Sequence, residues 1–155
     1  MKILKMVNAT EPEVIRSDVD ADVMTDMQKK LCDIATAVYQ DLGSGHDEQV
    51  YHRAMEVELR ERGINYESER RLELFYKKQY VGENFTDLIV RSGDGAVVVE
   101  LKAKGTAGPA EQQQVRKYMK LLGIRQGLLL NFPQYQKADG PIKTDITPIA
   151  LRDAD

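Results

Sequence analysis

The chain has 155 residues, one domain's worth by the usual span of about 100–200 residues, and 42% hydrophobic with 30% charged residues describes a soluble globular protein rather than a disordered or fibrous one. Twenty-two basic against 25 acidic residues leave a formal net charge of −3, which argues against a strongly basic nucleic-acid coat but leaves a local basic surface open. One cysteine, Cys32, excludes an intrachain disulfide and a zinc site built on sulfur, and with only His46 and His52 as imidazoles any metal has to be held mainly by carboxylates. No apolar run approaches the roughly 20 residues that cross a bilayer, and the N-terminus lacks a signal-peptide layout, so a cytoplasmic protein with no membrane partner is expected.

Residues 1–22 read as an acidic, poorly periodic N-terminal arm, either flexible or ordered as a short strand through Ile3, Leu4, Met6 and Val7. From about Val23 the apolar residues Met27, Leu31, Ile34, Ala35 and Val38 recur at helical spacing, and Gly43 ends that helix. A second helix is expected to start at Ser44 as N-cap with Asp47 as its capping-box partner. It would carry Val50, Tyr51, Ala54, Met55, Val57 and Leu59 on its apolar face and close at Gly63. Residues 65–90 turn to strand texture, with turn signals at Lys77-Lys78 and at Gly82-Glu83-Asn84. Thr86-Asp87-Leu88-Ile89-Val90 reads as a strand, Ser92-Gly93-Asp94-Gly95 as a hairpin turn, and residues 96–103 as the returning strand, which Val97-Val98-Val99 marks as central and buried. Pro109 suits the first position of a third helix with Val115, Tyr118, Met119 and Leu122 as its stripe and Gly123 as its stop. Residues 127–132 form an apolar strand, residues 133–141 a polar loop, and residues 146–151 a last short strand. The expected order is α-α-β-β-β-β-α-β-β, a single α/β domain with no internal repeat.

The chemistry concentrates on Asp87, Glu100 and Lys102. Alternation along a strand puts Glu100 and Lys102 on one face, with Val99 and Leu101 on the other. A Gly93-Asp94 loop sets Asp87 opposite Glu100, whereas an Asp94-Gly95 loop sets Asp87 opposite Lys102; both registers keep the three on one face. Directly opposed Cβ atoms lie about 4.5–5.5 Å apart, close enough for two carboxylates to share one divalent ion. Like charges so placed destabilise a sheet unless a cation, a metal or a shared proton compensates them, and Mg²⁺ suits an all-oxygen pair. A surface ion-pair cluster is the plain alternative.

Glu48, at the start of the second helix, falls at the edge of its apolar face, where it either looks onto the sheet or simply complements the helix dipole. Glu58 falls among Val50, Tyr51, Ala54 and Met55 on the wheel, and so reads as a buried supporting carboxylate that needs Arg70, Arg71 or Lys102 as donor. Gln114 flanks the third helix one turn before Tyr118, as a solvated position or a site residue.

These residues also form a recognisable series. Gly45-His46-Asp47-Glu48-Gln49-Val50-Tyr51 fits GxxExxY, Asp87 followed by Glu100-Leu101-Lys102 fits D…(D/E)xK, and Gln114-x-x-x-Tyr118 and the strand Gly127-Leu128-Leu129-Leu130-Asn131-Phe132 follow in order. Over about residues 27–132 the chain resembles the GxxExxY family of the PD-(D/E)XK nuclease superfamily. It departs from that family at Tyr39, where His is frequent, and at Gly43-Ser44-Gly45, where Gly-Pro-Gly is frequent. The resemblance implies a restriction-endonuclease-like core over residues 23–155, a mixed central β-sheet flanked by α-helices. It implies Asp87 and Glu100 as ligands of Mg²⁺ or Mn²⁺, the Leu101 carbonyl as a further ligand, and Glu48 completing the acidic site directly or through water. Lys102 would orient the attacking water or stabilise phosphate charge, Gln114 would position water or a phosphate oxygen, and Tyr118 and Glu58 would support them. Lys104, Arg116, Lys117 and Lys120 would contact the nucleic-acid backbone, if they are more than solvated charge, and a homodimer or a partner protein is implied for target choice.

Three functions therefore compete: a metal-dependent nuclease, on DNA rather than RNA; a nuclease-fold module that binds nucleic acid or protein with little catalysis; and a structural or regulatory subunit whose carboxylates form an ion-pair network. The last leaves Glu48 and Gln114 as coincidences.

Overall fold

A computed structural model describes residues 24–93, 95–135 and 144–151; the expectations for the N-terminal arm and for most of the 133–141 loop lie outside them. Helix α1 (Asp26–Leu42) starts from a capping box in which the Thr25 hydroxyl accepts from the Gln28 backbone N–H and the Gln28 side chain accepts from the Thr25 N–H. Gly43 ends it at φ 76°. Helix α2 (Glu48–Glu61) begins later than expected, with Asp47 rather than Ser44 at the N-cap. The reason is local: residues 43–46 are held as a loop by the Tyr51 hydroxyl, which donates to the Gly43 carbonyl (2.7 Å) and accepts from the His46 N–H (3.3 Å), with Gly45 at φ 95°.

Strands β1 (Asn65–Ser68), β2 (Arg71–Tyr76), β3 (Gln79–Phe85), β4 (Leu88–Ser92) and β5 (Gly95–Lys102) follow, then α3 (Pro109–Leu122), β6 (Gln126–Asn131) and β7 (Asp145–Ala150). Five strands thus separate the helices where four were expected. The extra strand comes from a break at Glu69-Arg70, with Glu69 at φ 53°, which divides β1 from β2 and sends them into different sheets; Gly82-Glu83-Asn84, expected as a turn, lies within β3 beside a bulge between Leu74 and Phe75. Thr86 and Asp87 sit just before β4 rather than inside it.

One sheet runs in the order β1-β4-β5-β6-β7, and β2-β3 form a separate two-stranded arm. The β5–β6 pair is parallel, with α3 as the crossover, and the other neighbours in both sheets are antiparallel, so the sheet is mixed as expected. Central β5 is buried on both faces. Val97, Val99 and Leu101 pack with α1 and α2, and Val98 packs with Val115, Tyr118 and Met119 of α3. Gly127 lets α3 approach β6 closely, since a Cβ there would sit 2.5 Å from the Met119 sulfur and 2.8 Å from Val115. The same residue's carbonyl accepts from Gln28 Nε2 (2.8 Å), which ties α1 to the sheet. Among the described residues no helix is long and apolar enough to cross a membrane.

Candidate active site

Ser92 pairs with Gly95 and Leu88 with Val99, so the hairpin adopts the register that carries Asp87 to Glu100 rather than to Lys102. Two hydrogen bonds lock the pair: the Asp87 N–H donates to Glu100 Oε1 (3.0 Å) and the Leu101 N–H donates to Asp87 Oδ2 (2.7 Å). Each carboxylate is thus fixed by the backbone beside its neighbour. Glu100 is only 3% exposed. Burial and then the Asp87 charge push its carboxyl up from 4.5 to about 9, against the opposing pull of the Asp87 N–H and Lys102.

The GxxExxY segment acquires a physical reading. The Tyr51 ring stacks on Phe132 at 4.4 Å with parallel planes while its hydroxyl ties the α1–α2 loop, so Glu48 enters the first turn of α2 from a fixed loop. Glu48 lies near enough to the sheet to feel Lys102, Asp87 and His52; burial raises its carboxyl above the usual range and Lys102 opposes that shift. Gln134 Nε2 bridges the His46 carbonyl (3.1 Å) and the Ala103 carbonyl (2.8 Å), joining this loop to the end of β5. Tyr51→Phe keeps the stack and deletes both hydroxyl bonds. A loss of about 1–2 kcal/mol in stability, read by urea melts, is expected together with a lower rate of any Glu48-dependent reaction.

On the other flank Gln114 Nε2 donates to the Tyr118 hydroxyl (3.0 Å). Burial and then Glu100 raise the Tyr118 phenol above its ordinary value, with Gln114 opposing. An open groove of about 460 Å³ is lined by Lys102, Lys104, Ala110, Glu111, Gln113, Gln114 and Lys117, and Lys102 joins it to the Glu100 strand. A second groove, lined by Gln113, Arg116, Lys117 and Lys120, shares Gln113 and Lys117 with the first, so the expected basic residues form one face along α3. Lys104 is drawn toward Glu111 (3.5 Å), and its backbone N–H donates to Asn131 Oδ1 (3.0 Å).

Glu58 is a correction. Its side chain is 31% exposed and pairs with Arg62 at 3.2 Å, on the surface of α2 and away from the site. The buried carboxylate of α2 is Glu56, bound by the Tyr66 hydroxyl (3.1 Å) and beside His52 Nε2 (3.4 Å). His52 was not singled out from the sequence either. It is buried, its Nδ1 lies 3.9 Å from Asp87 Oδ1, and its Nε2 contacts Ser68 Oγ at 2.9 Å. The available signal was the polar stripe Glu48, His52, Glu56 at i, i+4, i+8 through an otherwise apolar helix face.

Among the described residues no three Asp, Glu, His or Cys side chains converge as a ready metal cage. The donor set still fits a hard divalent cation. Two adjacent, backbone-anchored carboxylates, one of them desolvated, offer oxygen ligands to an ion that keeps several of its waters.

The model of the PD-(D/E)XK nuclease superfamily matches residues 25–143, and the chain belongs to that superfamily. Its mixed sheet flanked by helices is the restriction-endonuclease-like core, and enzymes of this superfamily generally use divalent metals. A solved structure described as "Crystal structure of SSO0001" is similar at 18% sequence identity over 83% of this chain, with a TM-score of 0.49. This chain spans 61% of that protein's length. No match was found among curated proteins.

Proposed function

We propose that the protein is a Mg²⁺- or Mn²⁺-dependent nuclease of the GxxExxY type, acting in the cytoplasm on DNA rather than RNA. The observation that carries this reading is the mutual anchoring of Asp87 and Glu100, two carboxylates held side by side by backbone hydrogen bonds, with Glu100 buried. Asp87 and Glu100 would hold the ion, with the Leu101 carbonyl and, through water, Glu48 as further oxygen donors. A divalent ion held there would supply polarisation of the phosphate and a lowered pKa for a bound water.

The chain's own residues do the rest. Lys102, on the Glu100 face and half-buried at the groove, orients the water and stabilises charge building on the phosphate. Gln114 and Tyr118, linked by their hydrogen bond, position water or a phosphate oxygen. Lys104, Arg116, Lys117 and Lys120 track the backbone of the substrate along α3. His52 orients Asp87 from below.

Purified protein with Mg²⁺ or Mn²⁺ is expected to cleave single- or double-stranded DNA, and Asp87→Asn to abolish the cleavage. No metal-dependent cleavage of any DNA or RNA substrate would overturn the reading. The lack of a third converging side-chain ligand among the described residues favours a second reading, a nuclease-fold module that binds nucleic acid or protein, alone or as a homodimer. Titration calorimetry separates the two, because a pure binding module takes up no Mn²⁺ that Glu100→Gln removes.

A further inference from the structure

The β2–β3 arm stands outside the five-stranded sheet, yet it is rooted at the site. At its base the Glu69 N–H donates to the Asp87 carbonyl (2.9 Å) and the Thr86 N–H donates to the Arg70 carbonyl (3.1 Å), so the arm leaves the sheet directly beside a candidate metal ligand. Leu72 fastens it to the cluster that holds Tyr118 and Val98, on the α3 side where the groove opens. At about 3.3 Å per residue its strands reach on the order of 20 Å from that root.

Its far end is built against ordinary stability. Tyr76 pairs with Gln79, which leaves Lys77-Lys78 as a two-residue turn. Both lysines hold positive φ, 49° and 66°, where Asn-Gly is the favoured pair. Behind them Phe75 (60% exposed), Tyr76 (64%) and Tyr80 (50%) present their rings to solvent. Phe75 and Tyr80 lie edge to face across the strands at 6.1 Å, and Lys77 Nζ stands 5.5 Å from the Tyr76 ring centre. The carboxylates of the outer arm, Glu73 and Glu83, are both taken by Arg71. Among the described residues neither Lys77 nor Lys78 has an acidic partner, so the tip carries uncompensated positive charge beside solvent-exposed aromatic rings, with Arg71 over the Tyr80 ring at 5.8 Å.

We infer that the β2–β3 arm is a nucleic-acid grip, in which Phe75, Tyr76 and Tyr80 stack on unpaired bases and Lys77 and Lys78 hold the adjoining phosphates. The charge of the tip selects a polyanion, and π faces select bases that are free to unstack rather than a closed duplex. The inference rests on the nuclease reading for its choice of ligand and extends that reading to substrates with a single-stranded stretch.

The test uses the full chain in a Glu100→Gln background, so that binding is read without hydrolysis, with labelled single-stranded and blunt duplex oligonucleotides in fluorescence anisotropy. Lys77→Asn/Lys78→Gly is expected to raise the melting temperature, because the turn relaxes, while weakening single-strand affinity and lowering its salt slope by about 1.4. Phe75→Ala/Tyr80→Ala is expected to weaken it about tenfold or more with the salt slope unchanged. A turn with a merely structural role would gain stability and keep its affinity. The inference is overturned if the parent binds no oligonucleotide or if the variants bind as the parent does. It is equally overturned if blunt duplex binds as well as single strand, or if light scattering finds a dimer that the arm variants dissociate at unchanged affinity. Wild-type protein with Mn²⁺ separates this outcome from the nuclease reading. Arm-dependent binding without cleavage sinks the nuclease and keeps the grip; cleavage with arm-independent binding does the reverse.

Discussion

Glu100→Gln should cut metal-dependent phosphodiester cleavage by about 10²–10³-fold or more, while the protein remains folded. The amide keeps an oxygen that can accept from the Asp87 N–H and fills the same volume, so the anchoring of the pair survives. What disappears is the charge that, on the nuclease reading, would hold a hydrated cation together with Asp87. Initial rates with Mn²⁺, beside circular dichroism of the variant, check this. A variant within tenfold of wild type would show that the pair is an ion-pair network unconnected with catalysis.

The same substitution should change how the metal-free protein responds to pH. Glu100 is raised in the folded state to about 9 from 4.5, so the folded chain holds a proton that the unfolded chain releases above about 4.5. The contribution to stability is therefore fully present below the unfolded value and is lost as pH rises toward about 9. The slope is about 1.4 kcal/mol per pH unit at most, so the melting temperature in EDTA should fall by about 5–10 °C between pH 5 and pH 8. Glu100→Gln should flatten that fall and melt higher than wild type at pH 8. Added Mg²⁺ should restore wild type most strongly at high pH, where the carboxylate is free to bind it. Parallel melting curves for wild type and variant across the range would remove Glu100 as the origin.

Much of the site was legible because its logic is local. Glu100 is a lone charge in an apolar run, the glycine-rich turn limits the register to two choices, and Pro109 and Gly123 bracket α3 as their backbone preferences require. What stayed hidden depends on contacts across the chain. Ser44 looks like a cap until Tyr51 captures residues 43–46 as a loop. Gly82-Glu83-Asn84 looks like a turn until β2 pairs alongside and the bulge takes up the mismatch. Val50 and Val57 pull the apparent apolar face of α2 toward Glu58, yet they are 39% and 45% exposed, and the buried carboxylate is Glu56. Removing them rotates the buried face toward Tyr51, His52, Met55, Glu56 and Leu59. A scattered exposed valine is ordinary, and only the packing partner decides which side of a helix is inside.

The two bonds that lock the carboxylates have a dynamic consequence. The amide protons of Asp87 and Leu101 are each bound to a side-chain oxygen. Their exchange with solvent deuterium therefore reports the opening of the site itself, separately from the ladder amides of β4 and β5, which follow the sheet. Any ion or substrate that draws on those oxygens will be felt at these two amides, so they are built-in isotopic reporters of whether the candidate site is closed.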